Sequence, residues 1–240
     1  MFRKKIYFLV LLFLISMLVI SAEKMKKIGE FKLKVPEPSG CVISYDNKYL
    51  WMVSDGNATV YKTDLNGKLI EKIVIDAVDL EGITVVEENK LCVIQEEKRE
   101  IILINNKGKE LKRVKINFPG QSNSGFEGIA YDSKRDRYYI VNEKKPCVLL
   151  TLDNNFNIKN KKTLNFSKDL SDIYYDSKND NLWICSDESN MVIKCDVEGN
   201  PIQKYKVSLK QIEGITLDKD NKYLYLVSDP EERLYKFEVK

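Results

Sequence analysis

Two sets of acidic residues recur along this sequence at intervals that would gather them in one place. The first opens three Glu-Gly-Ile triplets, at Glu81, Glu127 and Glu213, with Ser39 and the pair Ser171-Asp172 at the equivalent points. The second, Asp55, Glu96, Glu143, Asp187 and Asp229, closes five apolar runs. Carboxylates crowded together repel one another unless protons or cations neutralise them. A hard cation with six to eight oxygen ligands, calcium above all, relieves that repulsion. The plainer alternatives are turn chemistry for Asp after Ser, as at Asp55, Asp187 and Asp229, and repeat duplication with the Glu side chains capping nearby amides. Glu is a poor turn former, so Glu96 and Glu143 carry more signal. The Gly of each triplet suits close backbone approach but does not require Glu before it.

The chain contains no histidine. That excludes a Ser-His-Asp triad, a Cys-His pair, a His general base and His-ligated transition metals. Chemistry here would have to use carboxylates, Lys, Tyr, Ser or a metal-bound water.

The elements that must position the acids follow from the repeat itself. The first strands begin SGCVI, EGITV, EGIAY, SDIYY and EGITL, and their second residues fall at 40, 82, 128, 172 and 214. Spacings of 42, 46, 44 and 42 residues, with several strands per unit, are the signature of propeller blades. Within a unit an apolar second strand ends in the acid, and a third strand follows. Four units then reach a turn at Asn66-Gly67, Lys107-Gly108, Asn154-Asn155 or Glu198-Gly199, where Gly and Asn supply positive φ. Val, Ile, Tyr and Leu alternating with Lys suit half-exposed strands. The last unit lacks a fourth strand, and residues 29–35 read as the missing one. The expected fold is all-β, a five-bladed propeller of four-stranded blades, the last closed by an N-terminal strand. In such a ring both acid sets converge at one mouth of the central channel. Phe126, Tyr174 and Trp183 fall at the same end and read as packing between blades, and residues 122–125 read as a solvated loop beside them.

Residues 1–22 read separately, as a signal peptide or N-terminal membrane anchor, with the propeller domain over 26–240. Arg3, Lys4 and Lys5 precede an apolar run over 6–20, then Ser21-Ala22, the layout of an export signal. The run is shorter than the roughly 20 residues of a usual membrane span, and the cleavage site is imperfect, so an uncleaved anchor stays open. The protein is therefore expected outside the cytoplasm: periplasmic, at the cell surface or secreted. Removing residues 1–22 takes three of the 39 basic residues and none of the 36 acids, leaving a formally neutral domain that gives no reason to expect nucleic acid. Membrane contact is expected only through the N-terminal segment, and the domain is expected to be a monomer. The five cysteines lack CxxC spacing. They read as buried small hydrophobes, although one oxidised pair would be possible.

The sequence resembles the SdiA-regulated (YjiK-like) family of bacterial proteins over most of residues 38–240. The resemblance is carried by PSG from Pro38, LWMVSD to Asp55, DLEGI from Asp79, NSGFEGIAYD to Asp132, DLSDIYYD to Asp176, SDES from Ser186, and IEGITLD with YLVSDP near the end. It implies a five-bladed propeller, commonly behind an export or membrane segment, with a shared calcium site and no established activity. Carried over, the metal residues are Glu81, Glu127 and Glu213, with Asp172 and Glu143 secondary. Ser39 and Ser171 make that site lopsided, with Glu81 and Glu127 on neighbouring blades. The leading expectation is a non-enzymatic calcium-binding propeller presenting its acidic face to a ligand or protein. The alternative is a calcium-dependent hydrolase of lactonase, esterase or phosphoesterase type.

Overall fold

The computed structural model describes residues 22–119 and 124–239. Residues 1–21 of the N-terminal segment expected to direct export therefore lie outside the described residues, as do residues 122 and 123 of the loop at 122–125. Among the described residues no helix is long and apolar enough to cross a membrane.

Five sheets form the five blades. Their inner strands are Pro38–Ile43, Leu80–Glu87, Phe126–Asp132, Asp172–Asp176 and Ile212–Leu217 in blades I to V. Each blade runs outward through antiparallel neighbours. Blade V is completed by Lys26–Lys32, which pairs antiparallel with Arg233–Glu238 and joins the two chain ends as expected. Blade IV carries one strand more than expected. Ala22–Lys24 adds in parallel to its outer strand Pro201–Lys206, satisfying part of an otherwise open edge.

Apolar side chains from facing blades form five clusters, one at each blade boundary including V–I. Burial on both faces explains why second strands such as Tyr49–Ser54 are almost wholly apolar, whereas outer strands carry lysines. All five cysteines are free and buried within this packing. Gly67, Gly108 and Gly199 adopt the positive φ expected at their turns. In blade III that position belongs to Phe156 (φ 69°) rather than to Asn155. Its ring lies 4.7 Å from that of Tyr138, so core burial holds the strained residue in place.

The hub is closed by one strand. Gly40, Gly82, Gly128 and Gly214 share a layer in which the inner strands touch through backbone. A Cβ on Gly82 would meet Glu127 O at 2.7 Å and Gly128 Cα at 3.0 Å, and one on Gly214 would meet Cys41 N at 2.9 Å. Blade IV places Asp172 in that slot. Two residues on, where alternation repeats the same face, the other blades have Val42, Thr84, Ala130 and Thr216 and blade IV has Tyr174. The Tyr174 ring packs against three of the five clusters. Blade IV thus supplies the bulky residue to both axial layers.

Candidate metal centre

Local backbone irregularity aims the first set of acids. In blades I, III and V the pairing of the inner strand skips Ser39, Glu127 and Glu213, and in blade II it skips Glu81 with Gly82. Each skipped residue is a β-bulge, which re-aims its side chain out of the ladder. The second set is brought alongside by one repeated backbone bond. The amides of Asp55, Glu96, Glu143 and Asp229 donate to the carbonyls of Glu37, Asp79, Gly125 and Gln211 at 3.3, 3.0, 3.0 and 3.3 Å. In blade IV the Asp187 amide instead donates to the Asp169 carboxylate at 3.1 Å.

These bonds assemble a cup of about 220 Å³ lined by Glu37, Ser39, Asp55, Glu81, Glu96, Glu127, Glu143, Gln211, Glu213 and Asp229. Four of the five expected metal residues, Glu81, Glu127, Glu213 and Glu143, line it. Asp172 does not. Its Oδ1 accepts from the Ile173 amide at 2.8 Å and its Oδ2 from the Ile215 amide at 2.9 Å, in the glycine layer beneath the cup. Tyr174 also departs from expectation, because it lines the opposite opening of the channel.

Beside the cup, Asp79 joins two of its lining residues: one carboxylate oxygen from each of Asp79, Glu81 and Glu96 lies within 4.8 Å of the others. Asp79 belongs to neither of the two repeated acid sets. The signal that finds it is position: two residues before the bulge the blades read Glu37, Asp79, Gly125, Asp169 and Gln211, polar in four of five. Asp79 also accepts the Glu97 amide through Oδ2 at 2.9 Å, which fixes its side chain at the blade II turn.

The carboxylates of the cup are buried together and repel one another. Burial lifts Glu81 well above the usual carboxylate range, and Asp55, Asp79, Glu96 and Glu213 push it further. Burial does the same for Glu127, reinforced first by Glu81 and then by Glu96. Glu96 is raised by burial and by Asp79, against the opposing pull of the Gly125 amide, which donates to its Oε1 at 2.6 Å. Glu213 is pushed up to about 8, by burial first and then by Asp187 and Asp229. Lys144 stands 2.5 Å from Glu143 and 3.2 Å from Glu188, so its positive charge serves one edge of the cup. An all-carboxylate donor set without nitrogen or sulfur fits a hard divalent cation and not a softer metal.

The sequence model of a family described as SdiA-regulated matches residues 33–238. The chain belongs to that family. Among solved structures, the glutaminyl cyclase of Myxococcus xanthus is similar with a TM-score of 0.71 and 10% identity, over 90% of this chain and 97% of that one. The hydrazine synthase of Kuenenia stuttgartiensis is similar with a TM-score of 0.58 and 11% identity, over 87% and 97% of the two chains. At such identities the likeness is one of fold.

Proposed function

We propose that this SdiA-regulated protein is an exported or membrane-tethered propeller that binds calcium in its acidic cup and uses that face as a binding module. The observation that carries the reading is the convergence of Asp79, Glu81 and Glu96 oxygens within 4.8 Å of one another. Glu81 and Glu96 are two of the eight carboxylates that line the cup. Glu127, Glu213 and Glu143 lie within reach of the same charge as further or water-mediated ligands. Calcium tolerates that mixture of direct and water-mediated oxygens better than magnesium does. Asp172 is not among the proposed ligands, since amides already occupy both of its oxygens. A bound cation replaces the protons that the crowded carboxyls otherwise need. It would also order the mouth that a partner protein or ligand meets.

Metal analysis of protein purified without chelator tests this directly. Calcium near stoichiometric amounts in the wild type, reduced in Glu81→Gln, is the expected result. A metal-free wild type that stays metal-free after calcium is added would overturn it.

The alternative use of the cup is hydrolytic. Glu213 at about 8 is poised to hold or release a proton near neutral pH, and a cation beside it would polarise a carbonyl or phosphoryl oxygen. A screen of lactones, aryl esters and phosphate esters separates the two. Turnover abolished in folded Glu213→Gln would favour the hydrolase; no turnover, with calcium still bound, favours the binding module.

A further inference from the structure

The two ends of the channel differ in chemistry. The end opposite the acids opens into a cup of about 110 Å³ to which all five blades contribute, among them Val42, Tyr45, Val85, Tyr131, Tyr174 and Lys219. No carboxylate lines it. The nearest buried acids, Asp176 and Asp218, are engaged by turn amides, as in Lys178 N to Asp176 at 3.0 Å and Lys222 N to Asp218 at 2.7 Å. Tyr174 rises from the hub, and its hydroxyl has no hydrogen-bond partner among the described residues. By contrast, the Tyr131 hydroxyl donates to Asp136 and that of Tyr175 to Asp180. At the rim the Lys219 ammonium donates to the Tyr45 carbonyl and stands 4.2 Å from the centre of the Tyr45 ring. It makes no ion pair among the described residues and keeps further donor positions.

We infer that this second cup is a binding site for a small organic carboxylate with a flat apolar body. Its carboxylate would take hydrogen bonds from Lys219 Nζ and the Tyr174 hydroxyl, and its body would lie against Val42, Val85 and Tyr131. The space suits one ring-sized molecule. A cationic ligand is disfavoured by Lys219 and by the lack of a lining acid. Asp172 and Tyr174 fill the hub between the two cups, so the second site is separate from the acidic one.

The test is a ¹⁹F NMR titration of the whole domain with 4-fluorobenzoate, alongside 4-fluorobenzamide and 4-fluorobenzylamine. The benzoate should bind, and the amine should bind at least about tenfold more weakly. Lys219→Met should weaken benzoate about tenfold and spare the benzamide, because a charge-assisted bond is lost. Tyr174→Phe, which keeps the ring packing, should weaken both carbonyl ligands. Glu81→Gln should leave benzoate binding unchanged, since it alters only the other mouth. Absence of benzoate binding, equal binding of the amine, or indifference to both Lys219→Met and Tyr174→Phe would overturn the assignment.

Discussion

Oδ2 of Asp172 accepts a hydrogen bond from the Ile215 amide at 2.9 Å, across a blade boundary and 43 residues of chain. The carboxylate also takes amides of Ile173 and Cys41, so one side chain ties blades IV, V and I at the hub. Its burial is complete, and that burial raises its pKa well above the usual range. Asp172→Ala strips partners from buried amides, each worth roughly 1–3 kcal/mol when left unmade. Urea unfolding should therefore show a loss of about 3 kcal/mol, with Asp172→Asn milder because it keeps an acceptor oxygen. An alanine variant as stable as wild type would show that the hub does not depend on this group.

The glycine layer gives a second expectation. Gly82→Ala would place a Cβ 2.7 Å from Glu127 O and 2.9 Å from Ile129 N, both backbone atoms that cannot swing aside. Overpacking of this kind costs about 1–3 kcal/mol, and here it would also displace Glu81 and Glu127. Thermal melts should fall, and cation affinity should fall with them. Unchanged melting would mean that the inner strands can spread at the axis.

These two positions mark what the sequence made legible. The period of 42 to 46 residues located the blades, and with them Glu81, Glu127, Glu143 and Glu213, because each acid holds the same place in its repeat. Asp79 escaped notice because its position varies in residue type from blade to blade, so repetition did not flag it. Asp172 stands where the other repeats have Gly, a slot that lies one layer below the mouth. Only the three-dimensional register reveals that depth, along with the amides that claim its oxygens. The parallel strand Ala22–Lys24 was hidden too, since nothing in three residues announces which blade edge they cover.

Proton linkage gives the third prediction. Glu81, Glu127, Glu96 and Glu213 all have raised folded values. The native state therefore holds more protons than the unfolded chain above the ordinary carboxylate range. Stability of the chelated protein should fall as pH rises through this window, from the ordinary value of 4.5 to the folded value of about 8 for Glu213. Calcium should reverse the decline most strongly at its alkaline end. Melting curves across pH with chelator and with calcium check both signs. A chelated protein that gains stability over that range would refute the linkage.

Lys144 supplies a fourth prediction. Its ammonium holds Glu143 at 2.5 Å and competes with any cation for that carboxylate. Lys144→Met should tighten calcium binding by a few-fold, as ligand charge count sets calcium affinity, and lower the melting temperature of the chelated protein. Unchanged calcium binding in that variant would place Glu143 outside the cation's reach.

Calorimetric titration of calcium into chelator-treated protein, with Glu81→Gln in parallel, reaches the core of the account. Saturable binding of about one ion per chain, with Glu81→Gln weakened at least about tenfold yet folded, is the predicted result. A wild-type titration without binding heat, matched by a melting temperature that calcium leaves unmoved, would contradict it.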